Sequence, residues 1–283
     1  MGKIKYLFCE GNAGSLDNRL LEKVLQELSS YPEAPGIVPA GGKGNIPNFM
    51  NGYLERRGVR KLDERTAIGF RDRDFDAPVP VTCRLTVSRN PYIYLSYFPS
   101  MESYLLSPKA FFLFLQEKNL TEAVAIRSIS ETQFFFKQTA QSLKFYSAAR
   151  YALGELRDPK IGWRTSWIKE DGKLPASLEE EHCLLKATEL IRQSKEKVDA
   201  SLNEFEEKYE TVLRRFDDAF FETQQYRAWI HGKDFAETIR TNPAISSDNT
   251  FSLDSFYRFA LHRFNFREFP DLVELFELLN QPE

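Results

Sequence analysis

The chain has 283 residues, of which 42% are hydrophobic and 28% are charged, and its formal net charge is −3. This composition excludes an intrinsically disordered chain, and the small negative charge argues against a domain that binds nucleic acid through a basic surface alone. No apolar run approaches the roughly 20 residues of a membrane span, so we predict no membrane association. The scattered Cys9, Cys83 and Cys183 favour a reducing, cytoplasmic location over a disulfide framework or a zinc site.

The first hundred residues alternate short apolar segments with amphipathic ones. The predicted strands are Ile4–Cys9, Gly36–Ala40, Thr66–Phe70 and Tyr92–Leu95. Helices are predicted over Leu16–Ser29, from a glycine-rich loop to about Arg57, and from near Glu102. This alternation with short connections predicts an α/β fold with a mainly parallel sheet and flanking helices. In such sheets, ligands bind at the carboxyl ends of the strands.

From about residue 108 onward, the sequence predicts mostly helices. Helical spacing extends over Ala110–Lys118, Thr121–Lys144, Tyr146–Leu156 and Phe251–Leu279. The charged, periodic segment Leu178–Glu222 predicts one long amphipathic helix or a helical hairpin, and its pattern is too irregular for a free coiled coil. We therefore expect an α/β domain over residues 1–107. A mostly helical domain over 108–283 would serve dimerisation or partner docking.

Two carboxylates directly follow the third predicted strand, in Asp72-Arg73-Asp74. Carboxylates one residue apart at a strand end can both approach a hard cation, because the chain leaves the regular pleat there. Mg²⁺ prefers such oxygen ligands. Taken alone, a pair of this kind is also common as a helix cap, so the motif needs support from the rest of the chain.

Polar residues also follow the other three predicted strands. Glu10-Gly11 follows the first, with Asp17 early in the next helix, and Glu102 follows the fourth. The second predicted strand is followed by the loop Gly41-Gly42-Lys43-Gly44, which contains Lys43. Backbone amides of glycines and the start of the next helix could bind a phosphate there. Each has a plain structural alternative, namely a surface turn, a first-turn helix acid or a flexible loop.

Other ionisable residues carry weaker signals. No pair among His182, His231 and His262 has the spacing of metal ligands, so these residues are expected to be ordinary surface or core histidines. Arginines near the acidic motif, including Arg71 and Arg73, could contact phosphate, and a solvated or salt-bridged role is the default expectation for each.

The order of these motifs resembles the TOPRIM domain, and more narrowly the TOPRIM-like DUF4435 family related to the OLD nucleases. The resemblance rests on Glu10-Gly11, the Gly-Gly-Lys-Gly-Asn loop, Asp72-Arg73-Asp74 and Glu102-Ser103-Tyr104-Leu105-Leu106. These motifs cover roughly residues 4–108. A fainter likeness extends to residues 146–156 and to Gly232-Lys233-Asp234.

The resemblance implies a TOPRIM (Rossmann-like) sheet and a Mg²⁺-dependent endonuclease that hydrolyses phosphodiester bonds in DNA or in an RNA such as tRNA. Mn²⁺ is an alternative metal. The implied metal ligands are Glu10, Asp72, Asp74 and Glu102, with Asp17 assisting, although Asp17 lies farther along than the second acid of related nucleases. The implied catalytic residues are Glu10, Asp72 and Asp74, with Lys43 or Lys233 neutralising charge on the phosphate.

The resemblance also implies a biological setting. Small proteins of this type resemble effectors of anti-phage defence, as in the PARIS system, where an ABC-type ATPase holds the nuclease. For this chain it implies a toxic effector, a homodimer and an ATPase partner. The alternatives are a TOPRIM-like module that binds without catalysis, regulated by a partner ATPase, and an interaction protein that acts through its helical half. Retention of all four acidic positions favours the enzyme.

Overall fold

The structure is a computed structural model of the chain. It describes residues 4–28, 34–42, 45–58, 66–75, 77–156, 173–194, 202–246 and 251–280. The chain forms two compact units: the first contains residues 1–73, 79–105 and 257–283, and the second contains residues 74–78 and 106–256. This division differs from the boundary predicted at residue 107. The C-terminal segment belongs with the sheet, and the five residues after Arg73 belong with the helical unit.

The described residues form five strands and fourteen α-helices. The strands are β1 (Tyr6–Cys9), β2 (Gly36–Pro39), β3 (Ala67–Arg71), β4 (Thr86–Val87) and β5 (Ile93–Leu95). The helices are α1 (Leu16–Leu25), α2 (Ile46–Arg56), α3 (Glu102–Leu105), α4 (Pro108–Glu117), α5 (Ile129–Ser142), α6 (Lys144–Glu155), α7 (Glu180–Ser194), α8 (Leu202–Leu213), α9 (Asp218–Glu222), α10 (Tyr226–Trp229), α11 (Gly232–Thr241), α12 (Pro243–Ser246), α13 (Leu253–His262) and α14 (Pro270–Leu279). Across the described ranges, no helix has both the length and the apolar character that crossing a bilayer requires.

The first unit is built on a single mainly parallel sheet with the strand order β2-β1-β3-β5-β4. All neighbouring strands run parallel except β4, which pairs antiparallel with β5 at one edge. The predicted α/β fold with a mainly parallel sheet is therefore confirmed, and all four predicted strands are present. Strand β4 was not predicted because two residues are too few to show an alternating pattern.

The apolar segments predicted to be strands form the buried centre of the first unit. Leu7 and Phe8 of β1 are fully buried, as expected for a central strand whose two faces are covered. On one face, α2 packs Ile46 and Met50 into a cluster with Phe8. Gly69 of β3 permits this close approach, because a Cβ atom there would lie 3.0 Å from Cγ2 of Ile46.

The strand order reverses between β1 and β3. From β1 the chain moves outward to β2 on one side, and it then returns to β3 on the other side before continuing to β5. The two strands are direct neighbours, and Cys9 of β1 is paired with Phe70 of β3. In open α/β sheets, the crevice outside the carboxyl ends of two such strands is the usual place for a ligand.

The second unit is helical and has a core rich in phenylalanine. Phe111 of α4 and Phe136 of α5 are fully buried, with their ring centroids 5.4 Å apart. Phe256 of α13 meets Phe111 edge-on at 5.5 Å, and Phe235 of α11 lies 5.2 Å from Phe136. Buried aromatic pairs of this geometry add to the stabilisation that comes from their large apolar surface.

Two helix predictions are corrected by the structure. For Leu178–Glu222, where one long helix or a helical hairpin was expected, the single long helix is wrong, because α8 ends at Leu213 and the side chain of Asp217 starts α9 by accepting a hydrogen bond from the amide of Phe220 at 2.8 Å. The helical hairpin stays a prediction. The helix predicted over Thr121–Lys144 begins only at Ile129, where Ser128 acts as its N-cap.

Candidate functional site

Two of the predicted acidic residues stand at the point where the strand order reverses. Glu10 directly follows β1, and Asp72 directly follows β3. Asp72 is only 6% exposed, Glu10 is partly buried, and one carboxylate oxygen of each is shielded from solvent. Parallel neighbouring strands end at the same edge of the sheet, so this edge of the first unit presents both carboxylates.

The loop after β1 is shaped by hydrogen bonds from its own residues. Ser15 caps α1 by accepting a hydrogen bond from the amide of Asn18, and Oδ1 of the buried Asn18 accepts one from the amide of Gly14 at 2.9 Å. The loop therefore closes tightly on Gly11, where any added side chain would overlap the Ser15 hydroxyl and the Asp17 carboxylate.

Asp17 consequently lies against the Glu10-Gly11 turn despite its distance in the sequence. Burial raises the pKa of the Cys9 thiol to about 12, and the nearby carboxylate of Asp17 contributes to the increase. The structure therefore brings Asp17 to the end of β1. Whether Asp17 binds a metal stays a prediction.

Glu102, the fourth predicted acid of the first unit, opens the short helix α3 after β5. Its Oε2 atom is buried and meets no hydrogen-bond partner among the described residues. Its carboxylate also adds to the effect of burial in raising the pKa of Tyr257. A buried carboxylate oxygen of this kind is costly unless something else satisfies it, which makes Glu102 a good candidate ligand.

These acids do not form a closed protein cage. Among the described residues, no group of three or more His, Cys, Asp or Glu side chains is gathered closely enough to hold a metal ion. The first unit therefore offers carboxylates at one sheet edge and around the neighbouring loops, and the metal-binding role expected for them remains a hypothesis.

Arg73, between the two aspartates, has a structural position that the sequence did not indicate. The residue is fully buried rather than solvated. Its amide donates to the hydroxyl of Ser96 at 3.1 Å, and its Nε donates to the carbonyl of Tyr97 at 3.1 Å. Of the solvated or salt-bridged role expected for it, the solvated one is therefore wrong. Arg73 ties the loop after β3 to the loop after β5, and so it helps to fix the backbone beside Asp72.

Sequence reasoning missed Asp271, which holds the same region from the C-terminal helix α14. Asp271 is fully buried. Its Oδ2 accepts hydrogen bonds from the Tyr104 hydroxyl and, at 2.8 Å, from the Tyr97 amide, and its Oδ1 lies 3.5 Å from Sγ of Cys83. Tyr104 belongs to the Glu-x-Tyr-Leu-Leu motif. The motif's tyrosine therefore anchors the helix that begins with Glu102.

Burial dominates the ionisation of this network. It raises the pKa of Asp271, and the hydrogen bonds from Tyr104, the Tyr97 amide and Cys83 only partly offset the increase. It also raises the pKa of Tyr104 well above its ordinary value, with the Asp271 carboxylate as the second cause. The pKa of Cys83 rises to about 12 for the same two reasons. The network is therefore a structural support in which Asp271 is the chief acceptor.

Asp74, the second aspartate of the motif, belongs to the second unit together with His231. The Nε2 atom of His231 lies 3.1 Å from Oδ1 of Asp74, and both side chains are largely buried. Asp74 has a φ of 50°, in the left-handed region that aspartate tolerates better than most residues. Phe75 stacks on the imidazole with centroids 5.9 Å apart. His231 is thus a core histidine, one of the two ordinary roles expected for it, and its partner is a predicted site residue.

A buried ion pair accompanies this contact in the second unit. Arg150 of α6 is paired with Asp234 of α11, and both side chains are at least nine-tenths buried. The Arg150 guanidinium also lies 4.2 Å from the ring centroid of Phe75. In the Gly232-Lys233-Asp234 segment, the Asp234 carboxylate is therefore buried, whereas Lys233 is exposed. Lys43, the other predicted phosphate-neutralising lysine, lies outside the described residues.

Comparison with known proteins adds no assignment: no protein-family model matches the chain, and no curated protein matches it at a significant level.

Proposed function

We propose that this chain is a metal-dependent nuclease of the TOPRIM-like type, with its active site at the carboxyl edge of the sheet in the first unit. One observation carries the proposal. Glu10 and Asp72 directly follow β1 and β3, the neighbouring strands between which the strand order reverses. This is the place where open α/β sheets bind their ligands. Two carboxylates there suit a hard cation better than an anionic ligand.

The residues fit Mg²⁺ by the chemistry of their donor atoms. Mg²⁺ is usually held by one or two carboxylates together with waters and substrate phosphates, so a cage of three protein ligands is not needed. Glu10 and Asp72 would be the main ligands. Glu102, with its buried Oε2, and Asp17, beside Gly11, would be further ligands. Mn²⁺ accepts the same oxygen donors.

Mg²⁺, when bound, supplies the positive charge that activates water and stabilises the leaving oxygen in phosphodiester hydrolysis. The protein's own groups have different roles. Asp72 is buried and follows a central strand, so its carboxylate is held in place and acts in a medium of low dielectric constant. Glu10 is partly exposed, and its carboxylate can accept the proton of the attacking water as a general base.

The wider setting is part of the proposal and rests on the family resemblance. It comprises a toxic effector role in anti-phage defence, a homodimer and an ABC-type ATPase partner. DNA and structured RNA such as tRNA are both candidate substrates. The roles expected for Lys43, Asp74 and Lys233 stay predictions.

A cleavage assay with matched variants tests the proposal. The purified full chain is incubated with plasmid DNA, single-stranded DNA and total tRNA, in Mg²⁺, in Mn²⁺ and in EDTA. Glu10→Gln and Asp72→Asn remove a negative charge at nearly constant volume. Glu55→Gln, at an exposed position of α2, is the control. We expect metal-dependent cutting that falls by about a hundredfold or more in the two site variants and is unchanged in the control.

Thermal unfolding of each variant shows whether a loss of cutting reflects a loss of fold. Cutting that persists at the wild-type rate in both folded site variants would place the chemistry elsewhere. A wild-type chain that cuts none of the substrates in any metal would favour a TOPRIM-like module that binds without catalysis.

A further inference from the structure

A cleft in the first unit has no role in the site described above. Its volume is about 910 Å³, and it lies beside α1, the edge strand β2 and the C-terminal half of α13. Leu25, Ile37 and Leu261 contribute apolar surface to its lining. At one end it is lined by Ala13 and Asn18, in and just after the loop that follows Glu10. The cleft therefore starts close in sequence and in space to the end of β1.

Cationic side chains line both helical walls of this cleft. On α1, Arg19 and Lys23 are four residues apart and so share one face of the helix. On α13, Arg258 and His262 have the same spacing. Glu22 is the carboxylate among the described lining residues. A chain with a formal net charge of −3 thus has three permanent cations among the described lining residues of this cleft, and such a local excess attracts anions.

Arg19 gives a second and independent indication of a ligand. Its Nε atom is shielded from solvent and meets no hydrogen-bond acceptor among the described residues. A buried donor on a charged group is costly when it has no acceptor, so the guanidinium of Arg19 has hydrogen-bonding capacity that the described residues leave unused, and charge-assisted bonds to anionic oxygens are the strong ones. Among the described residues, the wall of the cleft therefore offers no acceptor to this atom of Arg19.

We propose that this cleft binds the sugar-phosphate backbone of an unpaired nucleic-acid strand, with phosphates on Arg19, Lys23 and Arg258. This inference rests on the proposed nuclease function, because it identifies the anion by the cleft's continuity with the loop that carries Glu10. The volume lies within the range of pockets that hold small ligands, which fits a few nucleotides of a single strand better than a duplex. The apolar lining suits sugars and base edges between the phosphate contacts.

The test is a binding measurement that does not depend on cleavage. Fluorescence anisotropy of short labelled single strands, DNA and RNA, is recorded with the full chain in EDTA, from about 50 to 200 mM salt. The double variant Arg19→Gln/Lys23→Gln removes two cations while keeping helix propensity. The control is Arg56→Gln, at an exposed position of α2 that does not line the cleft.

We expect the double variant to bind about tenfold more weakly at low salt. The log-log slope of affinity against salt should become shallower by about 0.7 for each phosphate that no longer meets a cation. Glu22→Gln should bind about twofold more tightly, because it removes a carboxylate that repels the phosphates of the bound strand. Arg56→Gln should match the wild type in both affinity and slope.

The inference is overturned if the double variant, still folded, binds with the wild-type affinity and slope. It is also overturned if the wild-type chain binds no single strand. Failure of the nuclease proposal looks different. In that case a strand still binds through Arg19 and Lys23, but it is not cut when Mg²⁺ or Mn²⁺ is added.

Discussion

The imidazole of His231 holds the carboxylate of Asp74, with 3.1 Å between Nε2 and Oδ1, although the two residues are 157 positions apart in the chain. His231 is the N-cap residue of α11, and Asp74 lies in the short segment that joins the second unit directly after Arg73. Asp74 also has a backbone conformation with positive φ, which carries a conformational cost. The hydrogen bond from His231 is one of the interactions that can offset that cost.

Replacing His231 by leucine should therefore destabilise the chain, and replacing it by glutamine should do so much less. The glutamine amide nitrogen can reach a position near that of Nε2 and donate to Asp74, whereas leucine has no group that can donate to this carboxylate. We expect a loss of about 1–3 kcal/mol in the free energy of unfolding for His231→Leu. Urea denaturation of both variants measures it, and equal losses would show that packing on Phe75 matters more than the hydrogen bond.

The buried pair of Arg150 and Asp234 makes a second prediction for the same unit. Removing one member leaves the other as an uncompensated buried charge, so Arg150→Met or Asp234→Asn alone should cost about 3–5 kcal/mol. Removing both charges in one chain should recover a large part of that loss. A double-mutant cycle by chemical denaturation measures the coupling. Additive losses from the two single variants would mean that the charges do not interact strongly in solution.

Packing around two glycines gives a third prediction. A Cβ atom at Gly69 of β3 would lie 3.0 Å from Ile46 and 3.2 Å from Ile93, whereas one at Gly52 of α2 would meet nothing within 4 Å. Gly69→Ala should therefore lower stability by about 1–3 kcal/mol through overpacking, and Gly52→Ala should raise it by about 0.5–1 kcal/mol through helix propensity. Thermal and urea unfolding test both signs. A stable Gly69→Ala variant would mean that α2 can move away from the sheet at little cost.

The sheet was predictable because its signals are local. Each predicted strand is an apolar run that ends at a polar loop, and burial on both faces rewards that pattern wherever it occurs. The placement of Glu10 and Asp72 at one edge of the sheet was predictable once the strands were located, because parallel strands end at the same edge. The strand order itself was not predictable, because no local pattern encodes it. The sequence therefore did not show that β1 and β3 are neighbours at the point where the order reverses.

The supports of the site were not predictable from local sequence. Asp271 meets the Tyr97 amide across 174 positions, and His231 meets Asp74 across 157 positions. Such pairs are decided by tertiary packing alone, and each residue taken singly is an ordinary helix-start acid or histidine. Arg73 was expected to be solvated or salt-bridged because arginine usually is, and in its buried position it donates to the carbonyl of Tyr97, which packing brings to it.

The Asp271 network predicts a specific dependence of stability on pH. Burial raises the pKa of Asp271 in the folded chain above its ordinary value of 3.8. The folded state therefore holds the proton more tightly than the unfolded state. The contribution of Asp271 to stability is fully present below that ordinary value, and it is lost as the pH rises through the raised pKa of the folded state.

Asp271→Asn removes this titration while it keeps one carbonyl acceptor for the Tyr97 amide or Tyr104. The free energy of unfolding of the wild type should therefore fall relative to that of Asp271→Asn as the pH rises from about 4 to 8. Urea denaturation of both chains across this range measures the difference. Glu274→Gln, in the same helix, is the control, since Glu274 accepts a hydrogen bond from the Leu85 amide at an exposed position. A difference between wild type and Asp271→Asn that stays constant with pH would mean that Asp271 titrates in the folded chain as it does in the unfolded one.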